Sequence, residues 1–145
     1  MSPVLYCLLQ NYFYLKGDHN KVVDIYNKVL PFKTLVTKDL SSEISFWCGR
    51  AHYALKDYKS AFQMFQESLK NSDEHFLSRF GLGQSQYENN LVEEALLTFE
   101  NMYKTNESIQ ELNYVLGILY SSKIIGLDTT KSQSSSTGNN KSGAQ

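Results

Sequence analysis

The chain of 145 residues contains few of the features that mark secreted or membrane proteins. Only two cysteines occur, Cys7 and Cys48, and both lie in apolar helical patterns, so we expect buried, reduced thiols in a reducing compartment. No run of eighteen apolar residues is present, which argues against a membrane-spanning helix. The formal net charge is only −1 and gives no general attraction to nucleic acid or to an anionic membrane.

Residue types that carry catalysis or metal binding are also sparse and scattered. His19, His52 and His75 lie far apart, and none has a second histidine three or four residues away, so no metal-ligand set is indicated. The segment 81–83 lacks the third glycine and the Lys-Ser/Thr pair of a phosphate-binding loop. The lysines form no basic block. We therefore predict no enzyme activity, metal, cofactor, small-molecule substrate or direct nucleic-acid contact.

What the chain does contain is a repeat with a period of 34 residues, which is marked by three glycines. An alanine follows each of the first two glycines after twelve residues, and a phenylalanine follows after sixteen. This period is that of a tetratricopeptide repeat, a pair of helices that stacks into a solenoid. Small residues allow two helices to approach closely, and an aromatic ring fills the gap between repeats. The residues predicted to pack the repeats are Gly49, Ala61, Phe65, Gly83, Ala95, Phe99 and Gly117.

These columns predict an all-α, right-handed solenoid of about three and a half repeats over residues 3–122. The repeats are expected at about 3–36, 42–75, 76–109 and, as a half repeat, 110–122. The first copy is degenerate, because Gln10 stands in the glycine column and Val22 in the alanine column. The apolar period predicts seven helices at about 3–16, 19–30, 42–55, 58–71, 76–89, 92–104 and 109–122.

The end of the sequence differs in composition from the repeats. Residues 123–145 are rich in Ser, Thr, Gly and Asn, and such a segment has too little apolar surface to offset its ordering entropy. We predict a disordered tail or an inserted loop there. The helix expected at 109–122 carries more apolar surface than one neighbour covers, so we expect the chain to be an internal piece of a longer stack.

The string from Phe80 to Gln84, together with the segments 45–55, 65–70, 90–108 and 111–114, resembles a known family. Over about residues 4–123 the chain looks like the central repeats of the large tetratricopeptide scaffold subunit of the PAF (RNA polymerase II-associated factor) transcription-elongation complex, in a fungal form. The resemblance implies a nuclear, non-catalytic scaffold. It implies that such a subunit holds the other PAF subunits together on RNA polymerase II, in a complex that supports co-transcriptional histone modification. A partner subunit is then expected to run as an extended segment along the repeats.

The first helix of each pair should face a concave groove, and aromatic and polar residues occupy its expected positions. The candidate groove residues are Tyr14, Phe46, Arg50, Tyr53, Phe80, Gln84, Tyr87 and Tyr114. One interpretation is an aromatic ladder that binds an extended peptide, with Arg50 and Gln84 supplying hydrogen bonds. The other is that the rings pack against neighbouring helices and close the groove.

The alternative function is that of a peptide-binding adaptor of the chaperone or transport type. A clamp for the terminal carboxylate of a chaperone needs lysine and asparagine at groove positions that here hold Phe46, Phe80 and Tyr114. This departure disfavours the clamp.

Overall fold

The structure is a computed structural model that describes residues 2–106 and 108–136. Over these residues the chain forms seven α-helices, and a 3-10 helix, Leu30–Leu35, lies between the second and the third. The α-helices are α1 Pro3–Leu15, α2 His19–Val29, α3 Lys38–Ala54, α4 Tyr58–Asn71, α5 Phe76–Glu88, α6 Val92–Thr105 and α7 Gln110–Ser136. Each helix packs mainly against its neighbours and next neighbours in the chain, which is the contact pattern of a solenoid.

The turns inside the helix pairs share one backbone conformation. Gly17, Lys56 and Asn90 each adopt a positive φ, between 62° and 79°, which ends the first helix in the left-handed conformation. The carboxylates of Asp18 and Asp57 then cap α2 and α4 by accepting bonds from backbone N–H groups three residues on. Lys56 and Asn90 are one repeat period apart, whereas Gly17 and Lys56 are 39 residues apart. The 3-10 helix after α2 accommodates this longer interval.

Glycines in α3 and α5 make room for phenylalanine rings from the second helices. A methyl group on Gly49 would lie 2.9 Å from Cε1 of Phe65, and one on Gly81 would lie 2.5 Å from Cζ of the same ring. The ring is therefore held between two first helices, and Phe65 is buried. Gly83 stands in the same relation to Phe99, at 2.5 Å from Cε2. The role of Gly81 was not recognised in the sequence, because Gly81 lies outside the 34-residue column.

Gly117 does not share this packing role, and the prediction for it was wrong. No neighbouring atom lies within 4 Å of the position that a methyl group on Gly117 would take. In the two preceding repeats the chain turns back, so that the ring sixteen residues later faces the glycine. Here α7 continues through that position to Ser136 as a single helix, so no described second helix covers Gly117.

The bounds of two helices differ from those expected by more than one residue at an end. α3 begins at Lys38 rather than near residue 42, because the Thr37 hydroxyl caps it by accepting a bond from the Leu40 N–H at 3.4 Å. α7 extends beyond residue 122, so residues 123–136 of the predicted disordered tail are helical. Residues 123–136 contain no proline, and proline is the residue that most readily breaks a helix. The remainder of that predicted tail, residues 137–145, lies outside the described residues.

Buried polar groups also join the helix pairs. In the serine cluster, formed by Ser42, Ser68 and Ser78, the Ser42 hydroxyl donates to the carbonyl of Ser68 at 2.9 Å and the Ser68 hydroxyl donates to the carbonyl of Ser42 at 2.8 Å. The Oγ atoms of Ser68 and Ser78 are 2.6 Å apart. At the other end, the buried Gln10 amide donates to the carbonyls of Val22 and Ile44, at 3.4 and 3.2 Å. These bonds connect α1 with α2 and α3, α3 with α4, and α4 with α5.

Candidate partner-binding surface

The eight candidate groove residues all lie on the first helices of the pairs: α1, α3, α5 and α7. Their exposure separates them into distinct groups. Phe46 is only 4% exposed, whereas Tyr87 is 36% and Tyr114 is 75% exposed. Tyr14, Arg50, Tyr53, Phe80 and Gln84 are half-buried. The surface is thus a mixture of rings that pack inside and rings that face outward.

The two phenylalanines of the set pack against the core. The ring centroid of Phe46 lies 6.2 Å from that of Phe65 and 5.0 Å from that of His75. Phe80 meets Phe99 edge-on at 5.2 Å. At these two positions the structure supports the packing interpretation, and an exposed ladder of phenylalanines is not formed. Tyr114, in the same column, is exposed.

Arg50 lies against a group of aromatic rings that joins α1 to α3. Its Cζ lies 4.6 Å from the ring centroid of Tyr14, 5.6 Å from that of Trp47 and 5.8 Å from that of Phe46. Such cation–π contacts restrict where the guanidinium lies but occupy none of its N–H donors. Among the described residues, no carboxylate forms an ion pair with Arg50, and no acceptor is bonded to it. Trp47 was missed in the sequence, although its spacing of three residues from Arg50 on one helix is a usable signal.

Tyrosines at equivalent positions link α3 to α5 and α5 to α7. The Tyr53 hydroxyl donates to Oε1 of Glu88 at 3.4 Å, and the Tyr87 hydroxyl lies 3.3 Å from Oγ of Ser122. Each bond spans 35 residues, so the same tyrosine contact recurs in two successive repeats. Burial, followed by the negative charge of Glu88, raises the pKa of Tyr53 to about 12. The phenol therefore keeps its proton near neutral pH and remains a donor.

A pocket of about 150 Å³ opens next to these two tyrosines and is lined by residues of α3, α5, α6 and α7. Its walls include three of the predicted groove residues and four apolar residues: Tyr53, Gln84, Tyr87, Phe99, Val115, Ile118 and Leu119. This pocket is open to solvent, and its volume is similar to that of an apolar cavity that holds a benzene-sized group. Ile118 remains 46% exposed, so the apolar surface of α7 that the sequence left without a neighbour forms one wall of this pocket.

Groups that could support chemistry do not converge on this surface. In residues 2–106 and 108–136, His, Cys, Asp and Glu form no group of three that could hold a metal ion. Burial raises the pKa of the Cys48 thiol to about 12, so this thiol stays protonated. Over the same ranges, no helix has the length and apolarity needed to cross a membrane. The surface instead presents the Arg50 guanidinium, the Tyr53 and Tyr87 hydroxyls and a largely apolar pocket.

The chain is similar to known proteins over most of its length. It is 54% identical over 140 residues to RNA polymerase-associated protein CTR9 of Saccharomyces cerevisiae, which covers 96% of this chain and 13% of that protein. It is 30% identical over 121 residues to tetratricopeptide repeat protein 1 of Schizosaccharomyces pombe, which covers 83% of this chain and 12% of that protein. The chain therefore spans about an eighth of the length of these relatives. No family model matches the chain.

Solved structures with the same fold are tetratricopeptide-repeat domains. One is the first such domain of Spaghetti (RPAP3) bound to the HSP90 peptide SRMEEVD, with a TM-score of 0.72, 14% identity and coverage of 84% of this chain and 95% of that one. Another is the first such domain of human RPAP3, with a TM-score of 0.74, 13% identity and coverage of 87% and 95%. The all-α tetratricopeptide fold predicted from the 34-residue period is confirmed, and so is the resemblance to the polymerase-associated scaffold subunit.

Proposed function

We propose that this chain is a segment of a non-catalytic, nuclear scaffold that resembles the tetratricopeptide subunit of the PAF complex and supports transcription elongation by RNA polymerase II and co-transcriptional histone modification. The observation that carries the proposal is the 54% identity over 140 residues to a yeast RNA polymerase-associated protein. Its partners are other subunits of that complex, which bind as extended segments along the repeats. Association with the polymerase is indirect, through those subunits.

The geometry supports a role in display rather than in chemistry. The rings of Phe65 and Phe99 are fitted against glycines of the first helices, which fixes how the pairs stack. The Tyr53 and Tyr87 hydroxyls then contact the next first helix, at 3.4 and 3.3 Å. Rigid presentation of a surface lowers the ordering cost of binding. A surface that is aromatic and only weakly charged suits a protein partner better than a nucleic acid.

The test is recovery of partners from a nuclear extract of budding yeast with the immobilised 145-residue chain. We expect PAF subunits among the specifically bound proteins, identified by mass spectrometry. The variant Gln84→Ala/Ile118→Ser removes one polar and one apolar contact from the pocket and should reduce this recovery. Lys59→Gln, an exposed change on α4, is the control and should not alter recovery. If the Gln84→Ala/Ile118→Ser variant recovers as much of the PAF subunits as the Lys59→Gln control, the result would contradict a role for the groove.

A second candidate is an adaptor that binds chaperone tails, since one solved neighbour holds an HSP90 peptide and another an HSP70 peptide. Against it stand the buried ring of Phe46 and the half-buried ring of Phe80, which occupy positions where a carboxylate clamp needs lysine and asparagine. The same extract distinguishes the two functions. Recovery of HSP70 or HSP90 that free SRMEEVD peptide competes away would favour the adaptor, and recovery of PAF subunits that this peptide leaves unchanged would favour the scaffold.

A further inference from the structure

We propose that the groove recognises an acidic side chain and an apolar side chain on one extended partner segment. Arg50 binds the carboxylate, and the pocket lined by α3, α5, α6 and α7 takes the apolar side chain. This inference rests on the proposed function and specifies the chemistry of the partner that the groove accepts.

The first part of the argument is the state of Arg50. Its guanidinium lies 4.6 Å from the ring centroid of Tyr14 and also contacts Trp47 and Phe46, so these rings restrict its position before any partner arrives. Within the described part of the chain it has no carboxylate partner. A planar fork with free donors matches the two oxygens of a carboxylate. Because the aromatic contacts already restrict its rotamers, less conformational entropy is lost when the anion binds.

The second part concerns which anion fits. A phosphomonoester carries a charge of about −1.5 to −2 and is usually bound by a cluster of arginines. No such cluster is present in the described residues around Arg50. Lys123 is 3.2 Å from Glu93, and Arg79 donates to the carbonyl of Asp73. One guanidinium balances one carboxylate, so the surface fits Asp or Glu of an acidic segment rather than a phosphorylated one.

The third part is the spacing between the two subsites. Arg50 and Gln84 each follow a repeat glycine by one residue, on helices α3 and α5 that pack side by side. Packed helices lie about 8–10 Å apart, and an extended segment rises about 3.3 Å per residue. Gln84 and the pocket beside it are therefore reached about three residues along the partner from the carboxylate. The Gln84 amide forms no hydrogen bond within the described chain, so it is available to pair with the partner backbone between the two subsites.

The experiment is a selection from a random library of twelve-residue peptides displayed on phage, with the full 145-residue chain as the target. We expect enriched peptides to carry Asp or Glu, with Leu, Ile, Met or Phe about three residues away. The affinity of a synthetic enriched peptide is then measured by fluorescence anisotropy. Arg50→Gln should weaken binding by about 10-fold to 100-fold, as loss of a charge-assisted hydrogen bond does. Lys59→Gln, which removes an equal charge from α4, should leave the affinity unchanged.

Peptide variants separate the two subsites. Exchange of the peptide's Glu for Gln should weaken binding to the unmodified chain but cause no further loss with Arg50→Gln, since the two changes remove one contact. Ile118→Ser should weaken binding to the acidic–apolar peptide and have little effect once the peptide's apolar residue is Ser. Circular dichroism of each protein variant verifies folding. Arg50→Lys keeps the charge without the fork and should bind more weakly than the unmodified chain.

Three outcomes would overturn the inference. Enriched peptides that compete for the pocket but show no acidic preference would remove the role of Arg50 and leave groove binding intact. Tighter binding when phosphoserine replaces the Glu would show that phosphate is the preferred anion. Enrichment of no sequence at all would refute the two-subsite inference, whereas the scaffold proposal is judged separately by recovery of PAF subunits from extract.

Discussion

Replacing Gly83 with alanine should expose how closely the helices of this stack approach one another. A methyl group there would lie 2.5 Å from Cε2 and 2.6 Å from Cζ of Phe99. The ring cannot easily move away, because Phe99 is 1% exposed and meets Phe80 edge-on. Alanine gains about 1 kcal/mol of helix propensity over glycine, but overpacking a dense core costs about 1–3 kcal/mol.

Gly117→Ala is the matched control for this change. Gly117 occupies the same repeat column, also inside a helix, and a methyl group on it meets nothing within 4 Å. Gly117→Ala should therefore show only the gain in propensity. The difference between the two variants isolates the overpacking cost, about 1–3 kcal/mol. At about 2–4 °C per kcal/mol for a chain of this length, Gly83→Ala should melt roughly 2–12 °C below Gly117→Ala.

Thermal and urea unfolding followed by circular dichroism at 222 nm measure this difference. Adding Phe99→Leu to Gly83→Ala removes the ring that the methyl group meets, so the loss from the double variant should be smaller than the sum of the single losses. Equal melting temperatures for the two alanine variants would refute the claim that Gly83, unlike Gly117, lies at a close helix crossing. Strictly additive losses in the double variant would refute the assignment of Phe99 as the obstacle.

Three further predictions concern the core, the pH dependence and the groove. Ser68→Ala should lower the free energy of unfolding, measured by urea titration, by about 1–3 kcal/mol, because it leaves buried groups of the serine cluster unpaired. The control is Gln66→Ala, an exposed change on the same helix, which should alter this free energy little. Burial lowers the pKa of His52 below 6.5, so the unfolded chain binds this proton more readily and the urea midpoint should fall as pH drops below 6.5, less so in His52→Gln. Tyr114→Ala should keep the melting temperature within about 2 °C while weakening recovery of partners, whereas Phe80→Ala should lower the melting temperature by several degrees.

The repeat period and the helix pattern were readable from the sequence because they rest on local rules. Capping groups such as Asp57 and the apolar period of each helix fix where most helices begin and end. The end of α7 was not readable in this way. A Ser- and Thr-rich composition carries no strong stop signal in the absence of proline, so the helix continues to Ser136.

The candidate groove was readable only in part. The repeat columns placed all eight residues on the first helices, but the columns say nothing about exposure. Phe46 is buried because the rings of Phe65 and His75 come from α4 and the start of α5 to meet it. The stacking of Arg50 on Tyr14 likewise depends on how α1 lies against α3, which no local pattern records.

Spacing along the chain by itself determined the fold, because small residues at a fixed period allow successive helix pairs to pack closely in the same way. Which of those small residues make a close crossing was decided only in three dimensions. Gly49 and Gly83 face rings from a returning helix, whereas Gly117 faces none because α7 does not turn back. The availability of the Arg50 fork was decided in the same way, since a side chain's partners are set by the helices that surround it and not by its neighbours in sequence.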